Sequence, residues 1–351
     1  MTSDPMTQPQ DIEYHLSGNV AAKPECIFQV HYGSSDFVDL NSSPAKMGIA
    51  MQSKASADIC PVDLVENWYG DSHKFRATGS ILDGQLHYID LGDHILCFGE
   101  LGRLDEVEAS SFHAYSAILE TLQQKGFHTL VRSWNFLPQI NHCPDGEIEI
   151  YQQFCKGRAL AFGAYGIDEF QLPAATGIGS YSSAITGYLI ASKRPDYLHI
   201  ENPLQSPAYK YPPKFGPKSP SFARGTLRRA PTLVDGAGTR FFLSGTASIR
   251  GADTIWPGDI GRQITTTMEN IRFLISDENP QMAQQCQAMD LASFDHFKVY
   301  FRHVEDYECI RKILTQDWQI AAEKLHFMNV DICRSDLLVE LEGCINGSDP
   351  A

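Results

Sequence analysis

The sequence offers no pairing scheme for its cysteines. The nine, at positions 26, 60, 97, 143, 155, 286, 309, 333 and 344, are scattered, odd in number and without a single CxxC spacing. That pattern argues against a disulfide framework and against a zinc site, and reduced thiols in a cytoplasmic protein are the expectation. Long hydrophobic runs are missing as well: no stretch approaches the ~20 apolar residues of a membrane-spanning helix. Met1-Thr-Ser-Asp-Pro5 holds no basic region leading into an apolar one. A phosphate-cradling loop is absent in complete form. Pro173-Ala-Ala-Thr-Gly-Ile-Gly179 has two glycines but neither GxGxxG nor a Walker lysine, and reads as a small-residue turn leading into a strand. Basic charge is scarce: 28 Lys and Arg stand against 43 Asp and Glu, a net charge of -15. Such a field repels nucleic acid and anionic membranes, and a small anionic substrate would need arginines gathered locally.

What is present describes an ordinary globular chain, 43% hydrophobic and 20% charged, whose 351 residues favour two domains. Residues 1–22 are polar and read as a mobile segment, and residues 43–80 as loop with short ordered pieces. Alternation predicts strands at Ile27–Tyr32, Ser80–Ile89, His94–Glu100, His128–Asn135 and Ala184–Ala191. Apolar spacing predicts helices at Ala109–Lys125, stopped by Gly126, and at Glu147–Arg158. After about residue 200 the pattern restarts, with strands at Arg240–Ser244 and Phe297–Arg302, helices at Gly258–Ser276 and Glu305–Trp318, and a closing strand over Val330–Gly343. Strands with helices on one face, twice over, predict an α+β protein of two similar halves, residues 23–200 and 201–345.

The closing strand carries the candidate chemistry. From Leu337 onward Leu337, Val339 and Leu341 share one face, and Leu338, Glu340 and Glu342 the other. Two parallel carboxylates are ordinary on a solvated face, but a carboxyl held in an apolar wall keeps its proton to higher pH, as a general acid must. Glu340, preceded on its own face by Leu338, is the candidate acid, with Glu342 as the fallback. Cys333 lies upstream, beyond the turn-like Arg334-Ser-Asp336. Arg158, following Gly157, reads either as a cation at a helix C-terminus or as a carboxylate clamp. His303, after a strand end, reads as structural.

Three separated motifs resemble, in order, those of the chorismatase family. They are Glu201-Asn-Pro-Leu-Gln-Ser-Pro-Ala-Tyr-Lys-Tyr-Pro through Arg224, with six prolines; Phe242-Leu-Ser-Gly-Thr-Ala-Ser-Ile249; and the closing Cys333-Arg-Ser-Asp-Leu-Leu-Val-Glu-Leu-Glu342. The resemblance runs over most of the chain from about Phe127. It implies two YjgF/RidA-like domains, each a mixed sheet with helices packed on one face, in a pseudo-trimer-like arrangement lacking one member. It implies removal of pyruvate from chorismate with neither metal nor organic cofactor, by a monomer or weak homo-oligomer with no nucleic-acid or membrane partner. Arg158, Tyr209, Tyr211, Arg224 and Arg302 would surround the substrate, Glu340 would protonate the enol ether, and Cys333 and Ala247 would bear on the product. A cysteine at the first position accompanies 3-hydroxybenzoate in that family, whereas alanine at the second accompanies hydrolysis to a dihydroxycyclohexadiene acid, so the two markers disagree. Leu204, where a basic residue is expected, and Gly251-Ala-Asp-Thr254, in place of Gly-His-Glu-Thr, also depart from the pattern. The leading expectation is a 3-hydroxybenzoate-forming enzyme, with some 4-hydroxybenzoate. The alternatives are the hydrolytic enzyme and a non-catalytic carboxylate-binding module.

Overall fold

Phe28, Val30 and Tyr32 alternate with more polar neighbours and are fully buried, the signature of a strand with one face on a core. Three sheets built this way turn their inner faces toward one another in a computed structural model that describes residues 13–17, 26–53, 56–70, 75–144, 146–228, 239–285 and 289–346. Sheet one holds β1 (Glu13–Ser17), β2 (Cys26–Gly33), β3 (Phe37–Asp39), β4 (Ala45–Ala50) and β5 (Leu64–Tyr69) in the order β1-β5-β2-β4-β3. Sheet two holds β6 (Ala77–Ile81), β7 (Leu86–Asp90), β8 (His94–Gly102), β9 (Thr129–Pro138), β10 (Ala174–Ser180) and β11 (Ile185–Ser192), with α1 (Val107–Lys125) and α2 (Ile150–Ala164) on its outer face. Sheet three holds β12 (Tyr197–Ile200), β13 (Gly225–Arg228) and β14 (Arg240–Ala247). After the small hairpin β15 (Ile249–Arg250) and β16 (Asp253–Thr254), it is completed by β17 (His296–Phe301), β18 (Leu325–Asn329) and β19 (Val339–Asn346). Its helices are α3 (Ile260–Ile275), the short α4 (Pro280–Gln284) and α5 (Tyr307–Lys312).

Sheets two and three repeat one topology. The orders β10-β9-β11-β8-β7-β6 and β18-β17-β19-β14-β13-β12 correspond strand for strand, each with one parallel pair flanking the second crossover. Sheet one repeats the four strands β10-β9-β11-β8: β2 and β4 are parallel as β9 and β10 are, β5 is antiparallel to β2, and β1 closes on β5. The expected arrangement lacks one member, and sheet one stands in that place as strands, with no helix on it among the described residues. One apolar cluster joins all three sheets, with Phe28 and Trp68 from the first, Trp134 and Tyr188 from the second, and Phe242 and Tyr300 from the third.

Several sequence expectations are revised. Residues 43–80 supply β4, β5 and most of β6 rather than loop. The strand signal of β5 is masked because Glu66 occupies an inward position between Leu64 and Trp68. Glu13–Ser17 is a paired strand, while the rest of the segment read as mobile lies outside the described residues. Pro173–Gly179 is mostly strand β10 rather than a turn. Its glycines do permit close packing, since a Cβ on Gly179 would lie 2.7 Å from the Asp331 carbonyl oxygen. The strands from Cys26 to Tyr69 and those from Ala77 to Ser192 form two sheets where the sequence suggested one half, and β12 pairs with the third sheet. The closing strand begins only at Val339, because Val330–Leu338 forms a loop whose Ile332 and Arg334 carbonyls accept from Arg302. No described helix is long and apolar enough to cross a membrane.

Candidate active site

The loop before β19, the start of α2, the proline-rich segment and β14 enclose a cavity of about 230 Å³ between sheets two and three. Alternation along β19 sends Val339 and Leu341 into the core under α3, and Glu340 and Glu342 toward the junction of the sheets. Glu340 stands opposite Ala247 on β14 and Tyr300 on β17. The pairing of β14 with β19 slips at Ser244-Gly245, a bulge of the kind that makes room beside functional groups. Room is needed, since a Cβ on Gly245 would overlap the Glu340 carboxyl, 2.9 Å from its Cδ.

Glu340 is 4% exposed and lines the cavity. Burial, reinforced by the negative charge of Glu342, pushes its carboxyl up to about 8. Its side-chain partner among the described residues is the Cys333 thiol, with Sγ 3.8 Å from Oε2. The same burial holds Cys333 well above the ordinary thiol range, so the sulfur is a neutral S–H. Two residues along, Glu342 is equally buried and opposite in character. Arg132 Nη2 at 2.7 Å, Lys298 Nζ at 3.1 Å, Tyr300 Oη at 3.0 Å, Trp134 Nε1 at 3.1 Å and the Thr176 hydroxyl all donate to it. Those cations and donors hold Glu342 below the usual carboxylate range. The alternation left two candidate acids, and their surroundings separate them: Glu340 is poised to carry a proton and Glu342 to remain ionised.

Two arginines also line the cavity. Arg224, buried, donates through Nη2 to Tyr211 Oη at 2.7 Å and to the Ser206 carbonyl at 2.8 Å, and its Nε has no partner among the described residues. Arg334 donates to the Ala252 carbonyl at 2.8 Å, lies 3.7 Å from the Phe215 ring centroid, and leaves a buried Nη2 unpartnered. An unpartnered buried guanidinium N–H is costly unless a ligand completes it. Tyr211, Ala247 and Cys333 join these residues at the wall, with Tyr151 and Gln152 at the opening turn of α2.

Three expected site residues are not at the cavity wall. Arg302 is taken up by protein: Nε donates to the Leu337 carbonyl at 3.0 Å, Nη2 to Asn141 and to the Ile332 and Arg334 carbonyls, and Nη1 pairs with Asp331. It braces the loop that presents Cys333 and Arg334. Arg158 is buried in the middle of α2, 5.0 Å over the Phe154 ring, because that helix runs on to Ala164 and not merely to Arg158. Tyr209 packs against the sheet-two cluster beneath Lys210. His303 is exposed. Arg334 and Gly245 were missed by the sequence reading. The first was disguised as part of a turn, although it adjoins Cys333; a glycine inside a strand pattern was the available signal for the second.

Against known proteins, residues 66–191 match the model of the FkbO/Hyg5-like chorismatase N-terminal domain. A 3-hydroxybenzoate synthase from Streptomyces hygroscopicus is 38% identical over 258 residues, 74% of this chain and 75% of that protein. A chorismatase from Streptomyces rapamycinicus is 38% identical over 68% of this chain and 70% of its own. A crystal structure of a chorismatase superposes with a TM-score of 0.83 at 27% identity, covering 95% of this chain and 98% of that one.

Proposed function

The chain belongs to the chorismatase family, and we propose that it removes pyruvate from chorismate to form 3-hydroxybenzoate, with Glu340 as the proton donor. The observation that carries the reading is a buried carboxyl, Glu340, lining a small cavity that Arg224 and Arg334 also line, each with a donor that no described residue accepts. Chorismate is a dicarboxylate with an enol ether. Arg224 and Arg334 match its two carboxylates, and a planar guanidinium suits each better than an ammonium would. Glu340 gives its proton to the methylene carbon of the enol ether, a slow transfer that requires an acid still protonated near neutral pH.

The cation so formed has two exits. If the ring hydroxyl attacks internally, pyruvate leaves and loss of a ring proton gives the aromatic acid, with no water consumed. If water attacks, pyruvate leaves with a dihydroxycyclohexadiene acid. Cys333, a neutral thiol beside Glu340, occupies space that a water would need, which supports the aromatic exit. Ala247 also lines the cavity and is too small to exclude water alone. The similarity to a 3-hydroxybenzoate synthase favours the same product. All eight described cysteines are unpaired, which suits a reducing cytoplasm.

Incubating the purified protein with chorismate and separating the products by chromatography tests this reading. Pyruvate with 3-hydroxybenzoate is expected. Pyruvate with the dihydrodiol acid would transfer the protein to the hydrolytic branch, and unchanged chorismate would refute catalysis.

A further inference from the structure

We propose that Glu342, which does not line the cavity, is a positioning residue whose fixed negative charge keeps the proton on Glu340. The inference rests on the reading of Glu340 as the acid. Its basis is a buried polar cluster at the junction of the three sheets, separate from the substrate cavity. Glu342 and Glu66 are its carboxylates, and Arg132 and Lys298 its cations, all at most 2% exposed. Lys298 Nζ lies 2.5 Å from Glu66 and 3.1 Å from Glu342, and Arg132 Nη2 lies 2.7 Å from Glu342. Tyr32 and Tyr188 close the far side through hydrogen bonds to Glu66 at 3.1 and 2.7 Å. The cluster is balanced in charge, yet it presents its negative end to Glu340, because Glu342 is the member on the same face of the same strand.

Bond by bond, the two neighbours are built for opposite states. Glu342 accepts from five donors supplied by β9, β10 and β17, which fixes it as an anion. Among the described residues Glu340 receives only the weak Cys333 thiol at 3.8 Å, although Arg132 and Arg224 both act on it electrostatically. Tyr151 from α2 and the Gly245 backbone from β14 also approach Glu340, and Arg334, Tyr211, Glu149, Lys214 and Asp336 share its cavity. Burial is the first cause of the raised Glu340 carboxyl, and the Glu342 anion adds to it against the pull of Arg132 and Arg224. A like charge opposes ionisation of its neighbour as long as it cannot itself neutralise, and the cluster prevents that neutralisation. Thr176 ties the parts together: its hydroxyl donates to Glu342 and accepts from the Gly245 N–H at 3.1 Å, at the bulge that makes room for Glu340.

Glu342→Gln keeps the shape and leaves Arg132 an uncompensated cation. The test is the pH profile of kcat/KM for pyruvate release from chorismate, measured on wild type, Glu342→Gln, Glu66→Gln and Glu340→Gln, with circular dichroism confirming the fold of each. For the wild type the alkaline limb is expected near 8, the position of Glu340. Glu342→Gln should move that limb down by about one pH unit or more, with kcat/KM at about pH 6 held within roughly threefold of wild type. Glu66→Gln, farther along the cluster, should move it the same way by less, and its limb decides if Glu342→Gln does not fold. An unmoved limb in the folded variant, or an equal loss at every pH, would overturn the inference and leave the cluster purely structural. Activity surviving in Glu340→Gln would instead overturn the assignment of the acid on which the inference rests.

Discussion

Replacing Gly245 by alanine adds one methyl group, and the structure specifies what it would displace. The new Cβ would sit 2.9 Å from Glu340 Cδ and overlap the nearer carboxyl oxygen, with Thr176 Oγ1 at 3.4 Å on its other side. Carbon atoms pack at ~3.5–4.0 Å, so the Cδ contact alone requires the carboxyl to withdraw by roughly 0.6–1.1 Å, and the overlapping oxygen requires more. A displacement of about 1 Å from productive geometry costs on the order of a hundredfold in rate. We expect Gly245→Ala to lower kcat by about that factor and to change KM much less, because Arg224 and Arg334 are anchored elsewhere. The overpacking should cost ~1–3 kcal/mol of stability, which urea denaturation would register. Steady-state kinetics of pyruvate release, with circular dichroism confirming the fold, is the assay. Wild-type kcat in the folded variant would refute the claim that the bulge sets the position of the acid.

Three further outcomes follow from the same geometry. Glu340→Gln should stabilise the protein at neutral pH. A carboxyl moved from its ordinary 4.5 to about 8 on folding is protonated in both states below 4.5, releases its proton on unfolding between the two values, and has lost its stabilising effect above 8. The variant's advantage should therefore be absent in acid, reach about 3 kcal/mol at neutral pH and level off above 8; denaturation midpoints showing no such pH dependence would count against a protonated Glu340. Cys333→Ala should raise the share of dihydrodiol acid at the expense of 3-hydroxybenzoate, with total pyruvate release kept within about tenfold, or ~1.4 kcal/mol of barrier; an unaltered product ratio would reduce Cys333 to packing. Arg334→Lys should raise KM for chorismate more than it lowers kcat, since the stacking on Phe215 and the planar fork are lost while the charge remains, and unchanged kinetics would place Arg334 outside the substrate's reach.

The sequence made some of this legible and hid the rest for identifiable reasons. Alternation over Leu337–Glu342 put both carboxylates on one face correctly, because a period of two is imposed by the backbone. It could not choose between them, since the deciding charges, Arg132 and Lys298, come from other strands far away in the chain. Glu66 concealed β5 because a charged residue in an inward position looks like an error in the pattern until its partner Lys298 is known. Arg302 stood at the end of a predicted strand near the right motif, yet its donors go mainly to backbone carbonyls, which no side-chain pattern reveals. Arg334 was hidden in a turn whose conformation Arg302 fixes.

The account stands most directly on the proton carried by Glu340. Purified Glu340→Gln should fold, since the amide is isosteric, and should lose pyruvate release from chorismate by ~10²–10⁴-fold, the usual worth of a positioned acid. A coupled pyruvate assay at neutral pH on the folded variant decides the matter: a loss of that size is the predicted result, and turnover near wild type would contradict the assignment of Glu340 as the acid.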